Sequence, residues 1–336
     1  NGCLEGDKYV VTWALGHLIT LQTPDKYKEF NNVNLESLPM IPKYMKTEVI
    51  KKTFKQYKVV ENALNRKDVK EIIIATDAGR EGELVARYII DKAKCNKNIK
   101  RLWISSVTDK AIKDGFKNLK DGKEYLGLYH SGIARANADW LVGINASRAL
   151  TLKYNASLNC GRVQTPTLQM VFEREEKIKQ FKPKDYFTFE AQIDGVKFSC
   201  SNSEFNLDRA EQFIKKNINK DIKFNDVQKK SKTSSAKPLY NLTDIQQTAS
   251  ALFGMSPKQT LNIVQSLYER HKVLTYPRTD SRYLTSDMKN TLRDRVQAIG
   301  GDFKEVTAKL LREKDLNVKK IINNAKVSDH HAIIPT

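Results

Sequence analysis

Two tracts carry side chains whose types and spacing could do chemistry on a phosphodiester. In Ala75-Thr76-Asp77-Ala78-Gly79-Arg80-Glu81-Gly82-Glu83, three carboxylates and a guanidinium follow a β-branched run, Glu71-Ile72-Ile73-Ile74-Ala75-Thr76. Carboxylates at the end of a buried strand suit Mg²⁺, a hard cation that takes one or two carboxylates together with phosphate oxygens and water. The same acids would also suit the first turn of a helix starting at Arg80, where the macrodipole favours negative charge. In Leu274-Thr275-Tyr276-Pro277-Arg278-Thr279-Asp280-Ser281-Arg282 a phenol lies two residues from a permanent cation. A tyrosine that attacks phosphorus must lose a proton from a group of pKa about 10, and a positioned Arg can neutralise the charge that builds up. A Tyr before Pro serves equally well as a loop anchor, and that alternative stays open on these residues alone.

The elements that would hold these tracts follow from periodicity. The run from Glu71 to Thr76 is too continuous for a half-exposed strand and suits the middle of a parallel sheet. Leu84, Val85, Tyr88 and Ile89 recur at helical spacing after Arg80, and Leu102-Trp103-Ile104 predicts a second strand. The result is a strand, helix, strand unit in an α/β domain, where ligands bind beyond the strand ends. Helices are expected at about 108–119, 127–150 and 162–179, with Gly161 between the last two. Alternation from Tyr186 to Cys200 around Asp194-Gly195 predicts an antiparallel hairpin. The polar, cationic stretch Lys229 to Lys237 is a linker or a phosphate contact, and Thr243-x-x-Gln246 and Ser256-Pro257-x-Gln259 have the form of capping boxes that open two helices.

The chain has 336 residues, 58 Lys and Arg against 39 Asp and Glu, and a formal charge of +19, so a polyanion is the expected partner, nucleic acid ahead of an acidic membrane. With 40% hydrophobic and 29% charged residues it is a folded, globular chain rather than a disordered or coiled-coil one. The sequence contains no apolar run of membrane-spanning length, signal-peptide order, CxxC pair, P-loop or internal repeat, which points to an intracellular protein with reduced thiols. A start without Met and an apolar close, Ala332-Ile333-Ile334-Pro335-Thr336, predict a piece of a longer protein.

In their full context the tracts resemble the signatures of type IA DNA topoisomerases. The first is similar to the TOPRIM sequence T-D-x-D-R-E-G-E, with Gly79 in place of the second Asp, which leaves Asp77 and Glu81 as the implied Mg²⁺ ligands. The second is similar to Y-P-R-T-D-S without interruption, which implies Tyr276 as nucleophile and Arg278 beside it as both a catalytic and a DNA-contacting residue. Trp13-Ala14-Leu15-Gly16-His17-Leu18 resembles the G-H-L segment and implies that His17 lies near DNA. The stretch Ile133 to Gly143 resembles the helix R-x-x-x-D-x-x-x-G and implies phosphate contacts from Arg135 and Arg148. Asn159-Cys160-Gly161-Arg162-Val163-Gln164-Thr165-Pro166 resembles S-x-G-R-V-Q-[ST]-P, with Asn159 for Ser, and implies that Asn159, Cys160, Gly161, Arg162, Val163 and Gln164 line a groove for single-stranded DNA. Ser328 to Thr336 resembles H-x-A-I-x-P-T, which by position makes His330 the catalytic histidine, with His331 next to it.

The A-G-R-E-G-E and H-H-A-I-I-P-T wording is similar to the bacterial topoisomerase III branch. The resemblance implies a multidomain α/β plus α protein, a partial toroid. Its parts would be a TOPRIM α/β domain over 1–100, a helical base domain over 101–185, a β-rich arch segment over 186–235 and a helical tyrosine domain over 236–336. The implied activity is cleavage of one DNA strand through a 5′-phosphotyrosine, strand passage and religation without ATP, relaxing negative supercoils or decatenating DNA. The opening TOPRIM strand would precede Asn1 and the return of the chain would follow Thr336, so the piece is expected to be inactive alone. A monomer that prefers single-stranded DNA, away from membranes and at the nucleoid in the cytoplasm, completes the expectation. Two rivals remain at this stage. One is a non-catalytic single-strand-binding protein using Tyr240, Phe253, Tyr268 and Tyr283 among the cations. The other is a TOPRIM nuclease or primase, which would use Asp77 and Glu81 without needing Tyr276.

Overall fold

The computed structural model describes residues 2–31, 34–105, 108–221, 223, 226, 228–234, 236–313 and 316–336. They form two compact units, Asn1–Gly161 with Ala236–Thr336, and Arg162–Ser235. The boundary falls inside the polar, cationic stretch, at Ser235, itself outside the described residues.

The first unit opens with two antiparallel pairs, β1 (Cys3–Glu5) with β2 (Val10–Thr12) and β3 (Ile19–Leu21) with β4 (Thr47–Val49). Helix α1 (Phe54–Asn65) leads to β5 (Glu71–Ile74), α2 (Arg80–Lys92) and β6 (Asn98–Arg101), with β6 parallel to β5 and Arg101 opposite Ile74. The expected strand, helix, strand unit is therefore present, but the second strand ends before Leu102-Trp103-Ile104 instead of coinciding with it. Arg101 explains the difference, because it is fully buried, donating to carbonyls and balanced in charge by a carboxylate, so a central strand is built partly from charge that hydropathy discounts. Helix α3 (Asp109–Lys117) is capped by Thr108, β7 (Lys120–Asp121) adds antiparallel to β6, and α4 (Leu126–Tyr154) runs for 29 residues. Gly132 lets α4 approach α2, since a Cβ there would come within 3.2 Å of Leu84 Cβ. Leu18, Ile19, Tyr57, Ile72, Ile74, Leu84, Ile89 and Tyr129 form the core beneath this layer.

The second unit holds α5 (Gln164–Lys179), the hairpin β8 (Glu190–Ile193) with β9 (Val196–Ser199), and α6 (Leu207–Asn217). Asp194 and Gly195, at φ 46° and 79°, make the tight turn that the dipeptide predicts.

Helices α7 (Leu242–Phe253), α8 (Pro257–Glu269), α9 (Leu292–Ala298) and α10 (Lys304–Arg312) return to the first unit. Ser256 and Gln259 form the expected capping box with Pro257 in the first turn. The other expected box is not used: α7 starts earlier, capped by Asn241, whose side chain accepts from the Asp244 N–H at 2.8 Å. Asn is the stronger N-cap, so it takes the helix start from Thr243. The apolar close of the chain is interior, with Ala332, Ile333 and Ile334 buried and a core formed with Leu284, Met288 and Leu292. None of the four cysteines is in a disulfide. Among the described residues no helix is long and apolar enough to cross a membrane.

Candidate active site

The turn between β5 and α2 is packed against the helix it introduces. The Gly79 N–H donates to the Asp77 carbonyl at 2.8 Å, and Thr76 Oγ1 donates to the Gly82 carbonyl at 2.8 Å. Beneath it lies Glu83, fully buried, with Arg87 Nε at 2.7 Å from one oxygen and Arg101 Nε at 2.6 Å from the other, the latter out of line for a hydrogen bond. Arg101 in turn donates to the carbonyls of Ile74, Thr76 and Asp77. Glu83 thus braces the turn from below and is not presented to a ligand.

The other two acids of the tract diverge. Asp77 is exposed, and its Oδ2 lies 3.6 Å from His330 Nε2. His330, with a smaller contribution from Arg101, holds the carboxyl below the usual range. Glu81 is surrounded by nitrogens, the guanidinium groups of Arg135 (Nη1 at 2.9 Å) and Arg80 (Nε at 3.6 Å) and the His17 ring (Nε2 at 3.9 Å). The structure therefore gathers Asp77 with His330, and Glu81 with Arg135 and His17.

Tyr276 comes from the opposite segment. Residues 273–279 run antiparallel to 330–336, with the Thr275 N–H donating to the Ile334 carbonyl at 3.0 Å and the Thr336 N–H to the Val273 carbonyl at 3.1 Å. Thr279 Oγ1 adds a bond to the His330 carbonyl at 2.9 Å. Two tracts distant in sequence are in this way one ladder, anchored by buried Pro277. The half-buried Tyr276 ring lies 4.3 Å, centroid to centroid, from the His330 ring and meets Tyr268 edge-on at 5.4 Å. Burial first, and then the Asp77 charge, push the phenol upward, while Arg278 opposes them. Arg278 is exposed, its Nη2 donating to Gln265 Oε1 of α8 at 3.1 Å. The histidine pair divides its work: His330 touches the phenol, whereas His331 Nδ1 sits 2.7 Å from the Ala332 carbonyl and burial pulls its imidazole down.

Sequence reasoning passed over Asp329. Its carboxylate lies directly on Gly79 and is pushed up by burial, with His330 opposing and the Asp77 and Asp280 charges adding to the rise. Its place immediately before His330 was the one available signal.

The remaining implied contacts are distributed. Arg135 and Arg148 are exposed on α4. The loop of Asn159, Cys160 and Gly161 is held to α4 by the Cys160 N–H donating to Ser147 Oγ at 2.8 Å. Arg162, Val163 and Gln164 open the second unit, with exposed Val163 at the N-cap and Gln164 as the first residue of α5. Among the described residues no three His, Cys, Asp or Glu side chains gather into a metal-holding group. The donors present suit Mg²⁺ held by one or two carboxylates and completed by phosphate and water, not a cage of protein ligands.

Residues 123–336 match the family described as DNA topoisomerase, and residues 2–107 match the Toprim domain. DNA topoisomerase 3 of Bacillus licheniformis is 55% identical over 100% of this chain and 47% of its own length, and that of Bacillus subtilis is 54% identical with the same coverage. The chain thus spans about half the length of the curated relatives it matches. Full-length topoisomerase I from Thermotoga maritima, in a monoclinic crystal form, has a similar fold, with a TM-score of 0.60 at 22% identity over 96% of this chain and 50% of that one. With the tyrosine tract inside one match and the acidic turn inside the other, the chain belongs to the DNA topoisomerase family, as its type IA signatures imply.

Proposed function

We propose that the chain carries the strand-cleavage centre of a type IA DNA topoisomerase, with Tyr276 as nucleophile. The observation that supports this reading is the convergence of the Tyr276 phenol, the His330 imidazole and the Asp77 carboxylate from three segments far apart in sequence. In cleavage the phenol oxygen bonds to phosphorus and gives up its proton, the bond from phosphorus to the 3′ oxygen breaks, and that oxygen takes up a proton. A 5′-phosphotyrosine remains. Its ester keeps the energy of the phosphodiester, so the reverse attack reseals the strand without ATP. His330, lying against the phenol, is the group placed to exchange protons there. Arg278 supplies positive charge to the five-coordinate phosphorus. Asp77 and Glu81 are the turn's own acids for Mg²⁺, which when bound supplies charge neutralisation beside the phosphate.

The exposed cations Arg135, Arg148 and Arg162, together with His17, Asn159, Cys160, Gly161, Val163 and Gln164, are assigned to the DNA strand, and the charge of +19 supports a polyanionic partner. In the full-length protein this chemistry serves relaxation or decatenation, by a monomer that prefers single strands and works at the nucleoid in the cytoplasm.

The test is adduct trapping. The full-length protein and its Tyr276→Phe variant are incubated with an end-labelled single-stranded oligonucleotide and stopped with detergent. The parent is expected to yield a covalent adduct, and the variant none while still binding the strand. An adduct from the Phe variant removes Tyr276 from the role. Cut strands without adduct from both proteins indicate a nuclease, and binding without cutting by both indicates a single-strand-binding protein.

A further inference from the structure

Gly79 has φ −162° and ψ 176°, extended backbone that any residue adopts, so conformation does not call for glycine at this position. Space does. A Cβ built on Gly79 would lie 2.6 Å from Oδ2, 2.8 Å from Cγ and 3.0 Å from Oδ1 of Asp329, so the carboxylate of a distant residue fills the volume where a side chain of residue 79 would begin. The contact has a companion nearby: His330, next to Asp329, faces Asp77, two residues before Gly79, at 3.6 Å. Among the described residues the Asp329 carboxylate takes no hydrogen bond or ion pair, whereas Glu81 is engaged by Arg135, Arg80 and His17. Asp329 therefore keeps its oxygens open to a cation, within reach of the Asp77 charge.

We propose that Asp329 stands in for the side chain that Gly79 lacks, so that the acidic pair presented to the reacting phosphate is Asp77 with Asp329, one carboxylate from each segment. The proposal rests on the cleavage reading above and deepens it, naming the residues that share the divalent cation. Mg²⁺ needs no more from a protein than one or two carboxylates when phosphate and water complete its shell. A pair divided between two segments exists only while they are in contact, so cation affinity rises with docking of the tyrosine segment on the turn.

The proposal is tested by Mn²⁺ titration, followed by electron paramagnetic resonance, of the full-length protein bound to a single-stranded oligonucleotide. All proteins carry Tyr276→Phe, so the readout is independent of cleavage: adduct trapping with Tyr276 intact judges the function, while Mn²⁺ affinity alone judges the pair. Asp329→Asn, which keeps the shape and removes the charge, is expected to weaken Mn²⁺ binding about tenfold or more. The reciprocal swap, Gly79→Asp with Asp329→Gly, is expected to recover most of that loss, because a carboxylate returns to the same volume from the other side. Three results overturn the proposal: no Mn²⁺ binding by the parent, affinity of Asp329→Asn within about twofold of the parent, or a folded swap variant that binds no better than Asp329→Asn.

Discussion

Glu83 and Asp77 belong to one short tract, yet their surroundings give them opposite work. Glu83 has no exposed surface and neutralises two guanidinium groups, Arg87 and Arg101, that could not otherwise stay inside. Glu83→Gln leaves both cations short of a counter-charge, and a loss of about 3–5 kcal/mol is expected, read as a fall in the midpoint of urea unfolding. A midpoint unchanged from the parent would show that the pair is not the brace described. Asp77, Tyr276 and His330 were picked out as candidates because each sits in a contiguous tract that resembles a family signature, and the structure brings the three together. Asp329 and Arg101 were not, since the first takes its meaning from a glycine in another segment and the second from carbonyls that only the folded turn presents. No local pattern encodes such partners.

Between β5 and α2, the decisive contact is the one Gly82 permits. A Cβ on Gly82 would lie 2.0 Å from the Asp77 carbonyl oxygen, a backbone atom that cannot swing aside. Gly82→Ala must therefore open the first turn of α2 or turn Asp77 away, at a cost of about 1–3 kcal/mol. Thermal unfolding is expected to show the loss, and adduct formation to fall with it. Gly127→Ala in α4, where nothing lies within 4 Å of the added Cβ, is the control, and should leave stability level or raise it by up to about 1 kcal/mol. If the two variants behave alike, close packing of the turn on the helix is not what positions Asp77. Elements marked by hydrophobic period or by turn chemistry were legible: α2, the long α4, and the hairpin at Asp194-Gly195. The extent of β6 was not, because its buried end is an arginine, and the start of α7 was displaced by the competing cap at Asn241.

Across the whole molecule, the charge predicts the terms of the proposed encounter with DNA. An excess of 19 cations must displace counterions from a strand, so the logarithm of affinity should fall linearly with the logarithm of salt, by about 0.7 per phosphate neutralised on single strands. Fluorescence anisotropy of a labelled oligonucleotide at several salt concentrations checks this, and a flat titration would remove the electrostatic groove. The antiparallel run of 273–279 with 330–336 bears on how such a molecule could let a strand through. Backbone bonds tie Tyr276 and His330 into a single body. What joins that body to the acidic turn is carried by side chains, His330 to Asp77 and Asp329 to Gly79. Among the described residues no backbone hydrogen bond crosses from one to the other. The parting plane therefore runs between His330 and Asp77, not between His330 and Tyr276. A separation along it would break no backbone hydrogen bond among the described residues, and Tyr276 would travel with His330 still beside it.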